Sequence, residues 1–457
     1  MNKPVEATRK LFGTDGIRGV ANEYPMIPEV ALKLGRAIAQ MSLRGDYRHK
    51  IVIGKDTRVS GYMLEFALSS GICSMGVDVC LVGPLPTPAV AFLTKTMRAD
   101  AGVVISASHN PFQDNGIKIF GPDGFKLDDS IEAEIESMLD SEELVRKGPT
   151  AIKIGKTNKL EDSRGRYIQY AKSSFDSSLR LDGLKIVVDC ANGAGYKVGP
   201  AIFEELGAEV VKIGVDPNGR NINAGCGATH PEWLKRMVLE TSADLGLALD
   251  GDADRLIVVD EKGHVVDGDA VMAICGKDLL EKKLLPKNTV VATVMSNCGL
   301  ERSLRPFGGK VVRTNVGDRY VVECMRREGY GFGGEQSGHL VFLDLSSTGD
   351  GCIAGLRVLE VLVRSGKKLS ELAQVFEPVP QELVNVNVSA KPPLDTLEKT
   401  QVLISKIESE LAAEGRVLVR YSGTEKKARV MVEGPKADAT SRFANEIAEC
   451  LKKEIES

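Results

Sequence analysis

The sequence predicts an α/β protein. Three successive α/β domains with mixed, largely parallel sheets precede a smaller C-terminal α+β domain, and the four surround a central cleft. Three observations support this prediction. Short apolar strands alternate with helices, as in βαβ units. The alternation restarts twice along the chain. The length of 457 residues suits three or four domains of about 100–200 residues each.

The first domain is predicted to span residues 1–152. Its elements are, in order, a helix over residues 27–42 with Pro28 in its first turn, a strand over 50–54, a helix over 60–75 capped by Ser60, and strands over 77–82 and 102–106. The last strand runs into the polar stretch SASHNP at residues 106–111. A simple turn and a reactive loop at the C-terminal end of a parallel strand both remain open for this stretch.

The second and third domains, at residues 153–257 and 258–376, repeat the pattern. The second contains the strand LKIVVD, the helix VGPAIFEEL and the strand AEVVKIG. The third contains the helix AVMAICGKDLLEKK, the strand TVVATVM, the helix GLERSLRPF, the strand KVVRT and the helix GDRYVVECMRREG. The last domain, at residues 377–457, has a strand, a long helix, two strands around RYSGTE and a final helix, which predicts an α+β unit.

Composition argues against several classes of protein. The net charge of -4 gives no reason to expect a nucleic acid or an anionic membrane as partner. The N-terminus lacks the apolar core of a signal peptide, and no apolar run approaches the roughly 18 residues that span a bilayer. The nine cysteines are scattered without a Cys-x-x-Cys pair, which indicates reduced thiols. We therefore expect a cytoplasmic protein.

The most specific local pattern is LDGDADR at residues 249–255. Asp250, Asp252 and Asp254 alternate, and alternate residues of an extended chain share a face, so three carboxylates are expected to converge. A cation must neutralise them, and oxygen ligands suit Mg²⁺ or Ca²⁺. Glu261 would complete the spacing of an EF-hand loop. However, Arg255 stands where that loop needs glycine, and both flanks are strands. A solvated acidic turn is the remaining alternative.

Two further stretches combine small residues with hydrogen-bonding side chains. In RYSGTE (residues 420–425) the planar donors of an arginine precede two hydroxyls and an open backbone, which predicts a phosphate site. A hairpin turn with an incidental arginine is the alternative. In GFGGEQSGH (residues 331–339) a carboxylate beside a hydroxyl suits the vicinal hydroxyls of a sugar or an amine. Cys226 and His230 of CGATH are too few ligands for zinc, so we expect a structural role for that stretch.

These stretches lie in different predicted domains, and with them the chain resembles the α-D-phosphohexomutase family over nearly its whole length. The resemblance rests on LFGTDGIRGVAN (11–22), SASHNPFQDNGIKIF (106–120), CGATHPE (226–232), LDGDADR (249–255), NVGDRYV (315–321), GGEQSGHLVFLDLSSTGDG (333–351) and RYSGTE (420–425). The glutamine in GEQSGH points to the branch that acts on glucosamine phosphates, since the phosphomannomutase/phosphoglucomutase branch usually has GEMSGH. After SGTE the chain departs from the family pattern with Lys426 and Lys427.

The resemblance implies an isomerase that interconverts glucosamine 6-phosphate and glucosamine 1-phosphate and feeds UDP-N-acetylglucosamine synthesis. Specificity for mannose or glucose phosphates is the alternative. It implies one Mg²⁺ per subunit and Ser108 as a phosphoserine. Glucose- or glucosamine-1,6-bisphosphate would be the intermediate and activator. Ser108, Asp250, Asp252 and Asp254 would hold the metal. Residues that would bind the substrate are Glu335, Ser337 and His339 at the sugar, and Arg420, Ser422, Gly423, Thr424 and Arg429 at the phosphate that does not react.

Other residues near these motifs receive roles in the same chemistry. His109 and Arg255 are expected to add positive charge beside the reacting phosphoryl group. Lys118 is the candidate general base for the attacking sugar hydroxyl. Arg9 and Arg18 are expected to line the pocket, and solvated surface charge is the alternative for Lys118 and Arg18.

A mutase with one serine and one metal must turn its sugar over, so we expect a hinge near residues 377–392. A phosphosugar-binding regulator without catalysis and a calcium-binding structural module are the alternative functions. The intact Ser108 and aspartate triad argue against the first, and the strand flanks argue against the second. The sequence does not determine the oligomeric state, and a homodimer is compatible with it.

Overall fold

Four β-sheets follow one another along the chain, one in each of four units. This computed structural model describes residues 11–13, 15–146, 148–421 and 426–456. Three of the sheets mix parallel and antiparallel strands and the fourth is antiparallel, so the predicted fold class is confirmed. Among the described residues no helix combines the length and the apolar character needed to cross a membrane.

The first unit has a seven-stranded sheet of order β1-β2-β6-β5-β3-β4-β7. Its elements are β1 (Phe12–Gly13), β2 (Gly16–Val20), α1 (Pro28–Ser42), β3 (Lys50–Lys55), α2 (Ser60–Ser74), β4 (Asp78–Pro84), α3 (Thr87–Thr96), β5 (Ala101–Ile105), β6 (Asp114–Phe120), α4 (Asp129–Met138), α5 (Glu142–Arg146) and β7 (Thr157–Lys159). Every residue of β5 is buried, and its C-terminal end leads into the SASHNP loop. Ser60 begins α2 rather than capping it, and its hydroxyl accepts a hydrogen bond from Asn115.

The second unit has a five-stranded sheet of order β12-β11-β10-β8-β9. Its elements are α6 (Ser163–Ser173), β8 (Lys185–Asp189), α7 (Val198–Glu204), β9 (Glu209–Ile213), α8 (Glu232–Thr241), β10 (Leu245–Leu249), β11 (Leu256–Asp260) and β12 (Val265–Val266). Strands β10 and β11 are antiparallel, and Leu249 pairs with Leu256. The aspartate triad therefore lies in the loop that joins two buried strands.

The third unit has a four-stranded sheet of order β14-β13-β15-β16. Its elements are α9 (Gly268–Glu281), β13 (Thr289–Thr293), α10 (Gly299–Leu304), β14 (Lys310–Thr314), α11 (Asp318–Glu328), β15 (Phe332–Gly334), β16 (Leu340–Phe342), α12 (Gly351–Ser365) and α13 (Leu369–Leu372). The GEQSGH stretch lies largely in the turn between β15 and β16. Asp350 caps α12 because its carboxylate accepts from the amides of Cys352 and Ile353.

The fourth unit has a three-stranded antiparallel sheet of order β17-β19-β18. Its elements are β17 (Gln381–Asn387), α14 (Glu398–Leu411), β18 (Arg416–Tyr421), β19 (Lys427–Glu433) and α15 (Ala437–Glu456). Its apolar core is separate from the core that the second and third units share. Polar contacts join it to the third unit: Asn297 exchanges hydrogen bonds with the backbone of Val379, and Arg416 donates to the carbonyl of Ser296 at 2.6 Å.

Two predicted boundaries differ from the sheets. β7 pairs with β4, so the first sheet extends beyond residue 152. The boundary at residue 257 falls inside β11, which returns antiparallel to β10 and then pairs with β12. The reason is the same in both places. Each sheet gains a short edge strand after its helices, and two or three residues carry too little pattern to reveal such a strand.

Candidate active site

Ser108 lies where the first unit meets the second. The loop after β5 carries it, and its side chain is buried. Its Oγ lies 2.5 Å from Oδ2 of Asp250 and 3.3 Å from Nδ1 of His109. Gly251 allows this approach, because a Cβ at that position would lie 2.4 Å from the carbonyl oxygen of Ser108. The structure thus joins the serine loop to the aspartate loop.

The aspartate triad forms a compact set of oxygen ligands. One carboxylate oxygen from each of Asp250, Asp252 and Asp254 lies within 4.8 Å of the others, and all three side chains are buried. The three converge in a turn in which Ala253 has a φ of 57°, rather than on one face of a strand. The predicted convergence is confirmed, although its local geometry differs.

The triad fits a hard divalent cation. Oδ1 of Asp252 and Oδ1 of Asp254 are buried without a hydrogen-bond partner in the described part of the chain. Burial raises the pKa of Asp250 well above its ordinary value, and the charges of Asp254 and Asp252 raise it further. Because such crowded carboxylates are costly unless a cation compensates them, this set of oxygen donors is suited to a divalent cation.

Lys118 lies beside the triad on β6 and is fully buried. Its Nζ is 2.9 Å from Asp252, 3.4 Å from Asp254 and 3.1 Å from Asp15. Burial opposes its charge, but these carboxylates outweigh burial and hold its pKa well above the ordinary value. The ammonium in turn helps to lower the pKa of Asp254 against the effect of burial. The alternative of a solvated surface lysine is excluded.

His109 and Arg255 flank the reacting hydroxyl, but they differ in charge. Burial lowers the pKa of His109 to about 4, and the positive charges of Arg255 and Arg18 contribute to the shift. His109 is therefore neutral at pH 7 beside the unphosphorylated serine, which differs from the expected positive charge. The carboxylates of Asp250 and Asp254 outweigh burial and raise the pKa of Arg255, which therefore carries the positive charge.

A pocket of about 400 Å³ opens next to this centre. Arg18 and Glu335 are among its lining residues, together with His109, Arg255 and His339. The loop of Glu335 is placed by backbone pairing, since the amide of Leu256 donates to the carbonyl of Gly338 at 2.9 Å. The loop of residues 335–339 (the sugar loop) thus lies against the C-terminal end of the loop of residues 250–255 (the aspartate loop).

Within that loop the polar side chains face different neighbours. Glu335 accepts a hydrogen bond from the amide of Gly317 at 3.1 Å, and Oγ of Ser337 lies 3.4 Å from its other oxygen. His339 is almost completely buried, and its ring nitrogens lie 3.5 Å from Asp254 and from Asp318. Glu335 therefore lines the pocket with Ser337 beside it, whereas His339 lines the pocket and contacts two carboxylates at its base.

Three charged residues of the site were missed from the sequence. Lys126 forms ion pairs with Asp15 of the first unit and with Asp318 of the third, and Asp15 also contacts Lys118. The two aspartates stand inside motifs that carry the family resemblance, and that signal could have revealed them. Lys126 gave no signal, because its role depends on how two units meet.

The stretch of the fourth unit that was predicted to bind phosphate is described in part. Ser422, Gly423 and Thr424, like Arg9, lie outside the described residues. Arg420 on β18 stands directly opposite Arg429 on β19, and burial together with Arg429 lowers the pKa of Arg420. Like charges directly opposite each other on paired strands are unfavourable, and an anion bound between them would reduce that repulsion. Arg420 also shares a strand face with Arg416, which contacts the third unit.

Cys226 and His230 belong to a structural segment. Cys226 is buried, and the amide of Ala228 donates to the carbonyl of Leu249 at 2.9 Å. Across the described part of the chain, Asp250, Asp252 and Asp254 form the single group of three or more side chains with metal-ligand geometry.

Comparison with known proteins places these features in a family. Models of the three alpha/beta/alpha domains and the C-terminal domain of phosphoglucomutase/phosphomannomutase match residues 9–146, 165–263, 267–379 and 383–450. The phosphoglucosamine mutase of Anaeromyxobacter dehalogenans is 62% identical over 455 residues, which cover 98% of this chain and 99% of that protein. That of Myxococcus xanthus is 58% identical over 453 residues and 99% of both proteins. The solved structure of a phosphoglucomutase/phosphomannomutase family protein from Burkholderia thailandensis superposes with a TM-score of 0.82 at 26% identity over 97% of both chains.

Proposed function

The chain belongs to the phosphoglucomutase/phosphomannomutase family, and on that premise we propose that it interconverts glucosamine 6-phosphate and glucosamine 1-phosphate. It is an isomerase of the phosphohexomutase class, and its full-length relatives are named phosphoglucosamine mutase. The observation that carries the proposal is the contact of 2.5 Å between the hydroxyl of Ser108 and Asp250, beside a pocket that also holds the sugar loop.

We propose that Ser108 is the phosphoryl carrier. In the active form it bears a phosphoryl group, and the free hydroxyl oxygen of the sugar phosphate (at C1 of the 6-phosphate or C6 of the 1-phosphate) attacks its phosphorus, while the proton of that hydroxyl ends on the departing Oγ of Ser108. The bond from the sugar oxygen to phosphorus forms as the bond from Ser108 Oγ to phosphorus breaks, which gives a 1,6-bisphosphate. The sugar then turns over, and its other phosphate returns a phosphoryl group to Ser108. One hydroxyl is consumed and one is released in each half-reaction.

Asp250, Asp252 and Asp254 would hold Mg²⁺, together with the phosphorylated Ser108. When bound, the ion would supply positive charge where the transferring phosphoryl group is most negative. Lys118 and Arg255 add fixed positive charge on the protein side. Lys118 was expected to be the general base for the sugar hydroxyl, but the carboxylates around it hold its pKa well above the ordinary value, so in this arrangement it is protonated and can donate a proton to an oxygen but cannot accept one.

We propose that Glu335 and Ser337 hold the sugar, and that Arg420 and Arg429, with Ser422, Gly423 and Thr424, hold the phosphate that does not react. Arg18 would contact the substrate in the pocket, and His339 would support that subsite from its base. The separate core of the fourth unit and its polar contacts with the third support a hinge before β17. A hinge would let the sugar leave one orientation and be held again in the other.

Specificity for mannose or glucose phosphates, as in other branches of the family, is the second candidate. A cytoplasmic location and a homodimeric assembly stay predictions. So does the use of glucose 1,6-bisphosphate as activator.

The test compares glucosamine 6-phosphate, glucose 6-phosphate and mannose 6-phosphate as substrates of the purified protein, with Mg²⁺ and catalytic glucose 1,6-bisphosphate. We expect the highest kcat/KM with glucosamine 6-phosphate, and an intact mass that shows one phosphate on active protein. A higher kcat/KM with mannose 6-phosphate would contradict the proposed substrate. Turnover by protein that never carries a phosphate would contradict the phosphoserine.

A further inference from the structure

Arg58 is one of the most deeply buried charged residues of the described chain. It lies between β3 and α2 and has no exposed surface. Arg58 lies outside the aspartate loop, the sugar loop and the strands that carry Arg420 and Arg429. A fully buried guanidinium is costly unless every one of its donors finds an acceptor. The acceptors of its five N–H groups therefore show what this residue holds in place.

All five donors are used, and four of them bind one loop. Nε donates to Asp56 at 2.7 Å. Nη2 donates to the carbonyl oxygens of Ser108 at 3.0 Å and Asn110 at 2.8 Å. Nη1 donates to the carbonyl oxygens of Pro111 and of Asp114, the latter at 2.9 Å. One side chain thus holds the backbone of the serine loop at four points.

The backbone held in this way is unusual at the reacting residue itself. Ser108 has a φ of 52°, in the left-handed region that residues other than glycine seldom adopt. Such a conformation persists only where its surroundings determine it. The amide of Ser108 is held as well, since it donates to Oγ of Ser106 at 3.0 Å, and that hydroxyl donates to Asp56 at 2.6 Å.

The second unit contributes to the same support. Nδ2 of Asn223 lies 2.9 Å from the carbonyl oxygen of Ser108 and 3.0 Å from that of Asn110. These are the two carbonyl groups that Nη2 of Arg58 also reaches. The serine loop is therefore clamped between a buried arginine of the first unit and an amide of the second, while Oγ of Ser108 faces Asp250.

We propose that Arg58, assisted by Asn223, is a positioning residue that keeps the hydroxyl of Ser108 in line for phosphoryl transfer. This inference rests on the proposed function. It follows from the need of in-line transfer for accurate placement, since a displacement of about 1 Å can cost about a hundredfold in rate. Arg58 is not among the residues that line the pocket, and its donors bind Asp56 and backbone carbonyl groups, so its effect passes through the loop backbone.

The test measures phosphoryl uptake by Ser108 from glucose 1,6-bisphosphate, followed by intact mass in single turnover. In this reaction the bond from Oγ to phosphorus forms, the sugar ester bond breaks, and the serine proton passes to the released sugar oxygen. Arg58→Lys keeps the charge opposite Asp56 but cannot supply five donors in a plane. We expect uptake about a hundredfold slower, and a KM for glucosamine 6-phosphate within about twofold of wild type.

Asn223→Ala is the second variant, because Arg58→Lys could fail to fold. It removes the donations from the second unit and places an alanine at a φ of 58°, which asparagine tolerates better, and we expect uptake per folded molecule to be about tenfold slower with a similar KM. Tyr167→Phe is the control for lost stability. It removes buried hydrogen bonds to Asp350 at 2.9 and 3.0 Å without touching the serine loop, so uptake per folded molecule should match wild type.

Wild-type uptake rates in both folded variants would overturn the inference, as would a raised KM with unchanged uptake. Losses that only follow the folded fraction, as in Tyr167→Phe, would also overturn it. A wild-type protein that takes up phosphate at Ser108 but does not convert glucosamine phosphates would refute the proposed substrate, while slower uptake in the variants would still support the positioning role.

Discussion

Oγ of Ser108 lies 2.5 Å from Oδ2 of Asp250, although 142 positions separate the two residues along the chain. Both side chains are buried. A phosphoryl group on this serine would carry a charge of about -1.5 to -2 and would lie next to the carboxyl group of Asp250. Burial already raises the pKa of Asp250, and the charges of Asp254 and Asp252 raise it further. The contact is therefore compatible with catalysis only where cations surround it, and Lys118 and Arg255 are the protein's share of that charge.

Ser108→Ala should abolish mutase turnover while the protein still folds and binds substrate, because the substitution removes the phosphoryl carrier and little packing. Steady-state kinetics, intact mass and thermal unfolding measure the three properties. Ser106→Ala is the matched control from the same motif. Its hydroxyl supports Asp56 and the amide of Ser108, so we expect phosphorylation of Ser108 to become slower without being abolished, with a Tm lower by a few degrees. Near-normal turnover of Ser108→Ala would show that SASHNP is only a turn and that Ser108 is not the phosphoryl carrier.

Asp252→Asn should weaken Mg²⁺ binding, because one of three ligand carboxylates and one negative charge are lost. Mg²⁺ should raise the Tm of wild type, since a ligand that binds only the folded state stabilises it, and the variant should need about tenfold more Mg²⁺ for the same rise. Activity should follow the same titration, with a smaller effect on the KM of the sugar.

Asp189→Asn is the control for this variant. Asp189 is a buried carboxylate that accepts from the amides of Ala191 and Gly227, outside the triad. Its substitution should lower stability without changing the Mg²⁺ titration. Equal Mg²⁺ titration curves for wild type and Asp252→Asn would show that the triad is not the metal site.

The strand and helix pattern and the four motifs could be predicted from sequence because each depends on local periodicity or on a short run of residue types. The aspartate triad shows the limit of that reasoning. Its convergence was predicted from strand geometry, but it arises in a turn with Ala253 in the left-handed region. The predicted and the observed convergence agree only because an extended strand and this turn both bring alternate side chains together.

Contacts between units could not be predicted. Lys126 pairs with Asp15 and Asp318 because the first and third units pack against each other, and the local sequence pattern does not predict that packing. Arg58 is similar, because a single arginine before a helix is ordinary in sequence and becomes informative only when its five donors are traced. The low pKa of His109, about 4 beside the unphosphorylated serine, could not be predicted either, because it depends on burial and on two arginines from other parts of the chain.

Asp269→Asn should stabilise the protein, and more so at high pH. Burial raises the pKa of Asp269 to about 7 in the folded protein, whereas its ordinary value is 3.8. Its stabilising contribution is present below about pH 4 and is lost as pH rises to about 7, at a cost on the order of a few kcal/mol. The asparagine can still accept from the amide of Asn297 but has no charge to bury.

Thermal unfolding between pH 4.5 and pH 8 measures this effect, and the gap in Tm between variant and wild type should widen as pH rises. Asp46→Asn, at an exposed position, is the control and should show a constant gap. A gap that stays constant for Asp269→Asn as well would mean that this carboxyl group is ionised in the folded protein throughout the range.

Arg420→Lys should impair the enzyme even though charge is kept, because a lysine cannot hold two phosphate oxygens with one planar group. The KM of both phosphosugar isomers should rise, and kcat should fall, since the same site accepts the phosphate of either one. The Mg²⁺ titration should not change. Arg442→Lys, on α15 of the same unit and largely exposed, is the control and should leave both directions unaffected. A rise in KM for one direction only would show that the two orientations use different phosphate sites.

Glu335→Gln should change the choice between sugars. Glu335 accepts from the amide of Gly317 and faces Ser337, and the described chain places no lysine or arginine in ion-pair contact with it. Its charge helps to raise the pKa of Arg255, and it would also attract the ammonium group of glucosamine, which glucose lacks. A glutamine of the same shape keeps the hydrogen bonds but loses the charge, so kcat/KM should fall about tenfold more for glucosamine 6-phosphate than for glucose 6-phosphate. Ser337→Ala is the matched variant, and it should lower both values by a similar factor, because a hydroxyl does not distinguish the two sugars by charge. If Glu335→Gln also lowered both equally, Glu335 would instead bind hydroxyl groups that the two sugars share, and the amine would have to be recognised elsewhere in the pocket.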